Sequence, residues 1–138
     1  MKYKIVHKLN KKQRKELYRL YKKEWWTKER KKKDIRKMLK NSDILFVLIN
    51  KKEKLIGFAR VLSDFVYKVE IYDVIITQKY RGKGLGDILI KAILEHKKLQ
   101  NVQQFNLQCK RDMVSFYKKY NFTEQLGDLV YMRRAYKN

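Results

Sequence analysis

The stretch Thr77–His96, TQKYRGKGLGDILIKAILEH, decides how the chain is read. It holds Gly82, Gly84 and Gly86, three of the five glycines in a chain without proline. Upstream, KVEIYDVIITQ (68–78) is apolar and β-branched, the pattern of a central strand. Downstream, Leu85, Leu89, Ala92, Ile93 and His96 recur at helical spacing. The glycines therefore sit at a strand-to-helix junction. The first turn of a helix offers backbone N–H groups with no intrahelical partner, and its dipole adds partial positive charge. Glycine lets the backbone take positive φ and approach a phosphate closely. Arg81 and Lys83 add charge at the rim of this loop.

Two phosphate loops are excluded by spacing. G-x-x-x-x-G-K-[ST] is absent, and alternating glycines do not fit G-x-G-x-x-G. What remains is R-x-x-G-x-G, formed by Arg81, Gly84 and Gly86, with Gly82 as an extra.

Outward from the loop, YKIVH (3–7) reads as a short strand, and Lys11 to about Glu24 as an amphipathic helix with Leu17, Leu20, Tyr21 and Trp25 on its apolar face. TKERKKKD (27–34) reads as a solvated loop, and Ile35, Met38 and Leu39 as a second short helix ending near Asn41. DILFVLINKKEKLIGFARVLSD (43–64) is a hairpin around the turn NKKEK. QQFNLQC (103–109) is a strand, RDMVSFYKKY (111–120) a short helix and DLVYMRRAY (128–136) a final strand. No repeat, Ser/Gly-rich stretch or proline marks a linker, so the expectation is one α/β domain over 1–138 with a mixed sheet.

The composition bounds the partners. Lys and Arg number 36 against 14 Asp and Glu, a net charge of +22. This reads either as an anionic partner or as a compositional lysine bias. No apolar run reaches the roughly 18 residues of a membrane span, and MKYKIVHKLNKKQRK lacks the apolar core of a secretory signal. One cysteine, Cys109, permits no internal disulfide, which suits a reducing cytoplasm. His7 and His96 are isolated in sequence and no Cys/His ligand spacing exists, so no metal is expected.

The loop YRGKGLG resembles the [QR]-x-x-G-x-[GA] signature of the GNAT superfamily of acyl-CoA-dependent N-acetyltransferases. SFYKKYNF (115–122) resembles the family's downstream FYxxxGF segment, with Asn121 where glycine is usual. Asn tolerates a left-handed conformation, so the helix-ending turn is expected to survive. The resemblance implies a mostly antiparallel central sheet flanked by helices, with a pyrophosphate-binding strand–loop–helix. It implies acetyl transfer from acetyl-CoA to a primary amine by direct attack in a ternary complex. The acceptor, a small molecule or a protein, is left open, as is the choice between monomer and homodimer.

Residue by residue, the resemblance places coenzyme A contacts at Arg81, Gly82, Lys83, Gly84, Leu85 and Gly86. It places pantetheine hydrogen bonds and the oxyanion donor on the backbone of Val74, Ile75 and Ile76, with Asn106 on the strand that splays away. Tyr117 aligns with a tyrosine that protonates the departing thiolate; otherwise its ring packs against the cofactor. Glu70, eleven residues before Arg81, matches a general-base position. Asp73, on the opposite face of the same strand if alternation holds, Asp64 and a water are the alternatives. Carboxylates on apolar strands can have raised pKa values, which suits a base near neutrality.

Cys109 has no sequence-adjacent His to activate it, and reads as a buried structural thiol rather than a nucleophile. Trp25 is expected in the core and Trp26 half-exposed, although EWWTKER could line the acceptor pocket. His96 is expected to be a packed histidine. Two rival functions stand beside the enzyme: a basic nucleic-acid-binding module, which has no recognised motif here, and an acetyl-CoA-binding domain without catalysis.

Overall fold

The computed structural model describes residues 2–136. The chain forms two compact units, Met1–Leu107 and Gln108–Asn138. The first unit is built on five strands: β1 Tyr3–Val6, β2 Ile44–Asn50, β3 Leu55–Ser63, β4 Lys68–Ile76 and β5 Gln104–Leu107. They lie in sequential order, and β1 through β4 pair antiparallel while β5 joins β4 in parallel. Helices α1 (Lys11–Lys23) and α2 (Lys32–Lys40) follow β1, and α3 (Leu85–Leu94) links β4 to β5. A parallel pair needs such a crossover, because a hairpin can join only antiparallel strands.

Two apolar layers hold the helices to the sheet. Leu17, Leu20 and Tyr21 of α1 and Ile35 of α2 pack with Val47, Ile49, Phe58 and Ile75 on one side. Leu85 of α3 packs with Leu48 and Ile56 in a second cluster. Gly57 of β3 is required where it stands: a Cβ there would lie 2.7 Å from Ile76 Cδ1 and 3.1 Å from the Ile75 carbonyl oxygen.

α1 starts at a capping box: Asn10 Oδ1 accepts from Gln13 N at 2.7 Å, and Gln13 Oε1 accepts from Asn10 N at 3.0 Å. Buried Gln13 also donates through Nε2 to the Glu53 carbonyl at 2.8 Å, which ties the helix to the β2–β3 turn. The helix stops at Lys23, one residue short of the expected end. Thr27 is the cause, since its hydroxyl donates to the Tyr21 carbonyl at 2.7 Å and its side chain is buried there. Trp25 therefore leaves the helical face and is 67% exposed, against the expectation of a core residue, while Trp26 is 40% exposed. The charge run after it is shorter as a loop than its sequence suggests, because Lys32–Asp34 already belong to α2.

The second unit holds α4, Val114–Lys118, after a short 3-10 turn at Arg111–Met113. Asn121 takes φ +67°, the left-handed geometry expected of it, and Phe122 N donates to the Tyr117 carbonyl at 3.3 Å. DLVYMRRAY does not form the expected final strand; Leu129, Val130, Tyr131 and Met132 are exposed. A strand exists through the backbone hydrogen bonds of a neighbour, and an alternating apolar pattern alone supplies none. No helix among the described residues is long and apolar enough to cross a membrane.

Candidate active site

The glycine loop is held open by its backbone. Gly82 and Gly84 take φ +76° and +77°, and a Cβ at either would meet nothing within 4 Å. Their geometry faces free space at the N-terminus of α3, whose Ncap is Gly84. Leu85, 3% exposed, anchors the start of the helix in the core, and Gly86 lies in its first turn. Free N–H groups, positive φ and the helix dipole together fit a diphosphate.

The Arg81 side chain has other partners than an open phosphate. Its Nε donates to the Ile76 carbonyl at 2.8 Å, and Nη2 pairs with Glu24 at 3.2 Å. It thereby closes the turn between β4 and the loop and fastens that turn to the end of α1. Lys83 Nζ rests 5.5 Å from the ring centroid of Tyr80.

The parallel ladder between β4 and β5 runs from Lys68↔Gln104 to Ile71↔Leu107. β4 continues five residues further, to Ile76, without a β5 partner. Val74, Ile75 and Ile76 lie in that extension; Ile75 and Ile76 remain paired to Phe58 and Gly57 of β3. Asn106 is still within the ladder, opposite Glu70, one residue before it ends.

Between those segments β4 carries a bulge. Tyr72 pairs with Arg60 and Ile75 with Phe58, so Asp73 and Val74 together oppose the single residue Ala59. Asp73 adopts φ +56°. The bulge overturns the simple alternation expected of this strand, because it turns Asp73 toward α1 and α2, the face that Glu70 also shares. Glu70 pairs with Leu62, two residues from Arg60 on the same side of β3, and Arg60 itself reaches Asp73.

The Asp73 side chain is 3% exposed and fully engaged. Oδ2 accepts from Tyr21 Oη at 3.0 Å, Arg30 Nη1 at 2.7 Å and Arg60 Nε at 2.7 Å, and Oδ1 accepts from Arg30 Nη2 at 3.2 Å. Burial pushes its pKa up, but the hydrogen bonds and charges of the two guanidiniums outweigh that and hold it below the ordinary carboxylate value. Burial, then the Asp73 charge, pushes the Tyr21 phenol far up. A carboxylate so occupied is a poor base. Exposed Asp64 accepts through Oδ1 from the backbone N–H groups of Val66, Tyr67 and Lys68 at 2.8–3.0 Å, and these bonds lower its pKa.

Arg30 and Arg60 carry no local signal in the sequence. Arg30 sits inside the charge run 27–34, and nothing in a lysine-rich chain distinguishes one structural arginine. Its two bonds to a residue 43 positions away are a tertiary fact.

In the second unit Tyr117 is buried, and its ring packs at 5.0 Å from Phe116 and 5.8 Å from Phe122. Burial, with the Cys109 charge adding to it, pushes the phenol up to about 12. Cys109 is exposed rather than buried; desolvation of the thiol raises its pKa, opposed by Arg111. A thiol so shifted is a weak nucleophile. His96 is packed as expected, 5.5 Å from Phe46 and 5.0 Å from His7, so the two histidines that look isolated in sequence are neighbours. No group of three His, Cys, Asp or Glu side chains able to hold a metal occurs among the described residues.

Known proteins share this architecture and sequence. A GNAT-family protein from Xanthomonas campestris pv. campestris superposes with a TM-score of 0.81 at 23% identity, over 96% of this chain and 93% of its own. Glucosamine-6-phosphate N-acetyltransferase from Arabidopsis thaliana gives 0.73 at 17% identity, over 99% and 100%. In sequence, the uncharacterized N-acetyltransferase ycf52 of Pyropia yezoensis is 39% identical over 93 residues, 65% of this chain and 53% of that protein. The chain thus spans about half the length of the relatives it matches in sequence. The family model described as an acetyltransferase (GNAT) domain matches residues 8–133, and the chain belongs to the GNAT family.

Proposed function

We propose that the chain is an N-acetyltransferase that moves an acetyl group from acetyl-CoA to a primary amine by direct attack in a ternary complex, acting as one domain over its length. The observation that carries this reading is the Gly82–Gly86 cradle at the α3 N-terminus, next to the stretch of β4 that outruns β5. The one family model that runs from residue 8 to 133 supports a single domain.

In this reading the backbone amides of Gly82–Gly86 hold the diphosphate and Lys83 screens its charge, while Arg81 holds the turn in shape through Ile76 and Glu24. The backbone of Val74–Ile76 binds the pantetheine arm and donates to the thioester oxygen, where negative charge develops during attack. The bound cosubstrate supplies an activated acyl group and a thiolate leaving group.

Glu70 takes the proton of the attacking amine, directly or through a water; Asp73 is committed to Tyr21, Arg30 and Arg60, and Asp64 to the backbone N–H groups of the β3–β4 turn. Tyr117 donates to the departing sulfur. Its raised pKa keeps the hydroxyl protonated at every working pH, and burial strengthens the hydrogen bond it gives. Full transfer from a phenol near 12 to a thiolate of pKa about 8–9 is uphill, so the bond must tighten as the C–S bond breaks. We place the protein in a compartment that keeps its exposed Cys109 reduced, the cytoplasm in our reading; one relative, from Arabidopsis thaliana, is named as chloroplastic.

The test is acetyl-CoA binding by heat stabilisation together with thiol release over a panel of amines. Stabilisation with release supports the enzyme. Stabilisation without release from any amine turns the reading into a non-catalytic binding domain, and absence of both rejects it.

A further inference from the structure

We propose that the acceptor is an amine that also carries an oxyanion, and that Arg60, with Arg30 beside it, reads this group. The inference rests on the transferase reading above and names its substrate class.

Asp73 accepts four hydrogen bonds, three on Oδ2 and one on Oδ1, and Arg60 gives only one of the four. A guanidinium has five N–H donors. Arg60 spends one of them, Nε–H, on Asp73. Its Nη1 and Nη2 make no hydrogen bond among the described residues, and neither is a fully buried, unpartnered atom. The Arg60 side chain is 13% exposed, so a partly desolvated guanidinium keeps donors that protein atoms do not occupy. Two arginines around one carboxylate also leave a surplus positive charge in a partly desolvated site. Surplus charge with free, forked donors is the chemistry that recognises a carboxylate or a phosphate.

The surroundings shape this opening as a recognition site. Tyr72 lies 4.8 Å from the Arg60 guanidinium and is 38% exposed. Trp26 lies 6.0 Å from the Arg30 guanidinium and is similarly half-exposed. Each ring lies against a guanidinium, the arrangement of a cation–π contact. Glu70 is two residues before Tyr72 on the same face of β4, about 7 Å along the strand. An acceptor can therefore place an amine at Glu70 and an acidic group at Arg60 within one small molecule or one residue of a peptide. The net charge of +22 adds long-range attraction for such an acceptor.

The experiment compares matched pairs that differ in the oxyanion alone: phenylalanine against phenylalaninamide for the carboxylate, and phosphoethanolamine against ethanolamine for the phosphate. Binding is measured by calorimetry with coenzyme A present, and thiol release with acetyl-CoA is measured separately. The acidic member of one pair is expected to bind at least about tenfold tighter, the effect of charge-assisted hydrogen bonds. The pair that shows the preference tells carboxylate from phosphate. Arg60→Gln should abolish that preference, and Arg60→Lys, which keeps the charge beside Asp73 but loses the fork, should reduce it severalfold. Equal binding within both pairs, or a preference for the neutral members, overturns the inference in the wild-type protein whether or not any variant folds. Thiol release reports on the transferase reading alone: a binding preference without release keeps the oxyanion site and rejects catalysis.

Discussion

Arg30 grips Asp73 with two hydrogen bonds, 2.7 and 3.2 Å long, and so fastens the loop after α1 to a bulge in β4. This contact joins the segment beside the tryptophans to the strand that carries Glu70. The positive φ of Asp73 costs energy for a residue with a Cβ, and the four hydrogen bonds that three residues give its carboxylate offset that cost.

Replacing Asp73 by Asn should therefore be expensive. It leaves two guanidiniums facing each other without their counter-ion, an effect of about 3–5 kcal/mol for a buried pair. The folded-state pKa of Asp73 is depressed, so its stabilisation is present above the unfolded carboxylate value of about 3.9 and is lost as pH falls through the folded value. Denaturant midpoints measured from pH 7 to 2 should show an acid limb in the wild type that is flattened in Asp73→Asn.

At the alkaline end the sign reverses. Tyr21 and Tyr117 both have raised phenol pKa values, so the folded state holds protons that the unfolded chain releases near pH 10. Stability should fall as pH rises above about 10, and Tyr117→Phe should lessen the slope. The same variant should lower turnover about a hundredfold with little change in acetyl-CoA affinity. Unchanged turnover would remove Tyr117 as the proton donor.

Gly84→Ala separates strain from binding. Because φ is +77° and a Cβ meets no neighbour, the fold should lose about 1 kcal/mol through backbone strain alone. The methyl group would occupy the space a diphosphate needs, so acetyl-CoA affinity should drop by at least about tenfold. An affinity loss no larger than the stability loss would place the diphosphate elsewhere.

Glu24→Gln tests the hold on Arg81. The pair is exposed, so global stability should change by less than about 1 kcal/mol. Released from Glu24, the guanidinium is available to phosphate, and coenzyme A affinity should rise severalfold with a steeper salt dependence. Unaltered affinity and salt dependence would confine Arg81 to shaping the turn.

Glu70→Gln should lower turnover about a hundredfold and remove the acidic limb of the pH–rate profile. Retention of that limb would assign the base to another group or to water.

Composition and periodicity determine much of this protein by themselves. The runs at 44–50, 55–63 and 68–76 are apolar enough to be strands in any packed context, and the heptad-like face of α1 needs a sheet to cover. Gly82 and Gly84 are legible because positive φ is a local property of the backbone that glycine adopts at least cost. Asn121 shows the same locality.

What tertiary structure alone decides depends on residues far apart in the chain. Thr27 capping Tyr21 expels Trp25 from the core, a competition that helical spacing does not encode. DLVYMRRAY has strand composition, yet pairing is a property of a neighbour and not of the segment. The bulge at Asp73 exists because Arg30, Arg60 and Tyr21 arrive from three other elements to saturate one carboxylate. Local sequence specifies where a backbone can bend; only convergence of distant charges settles which side chain the bend turns inward.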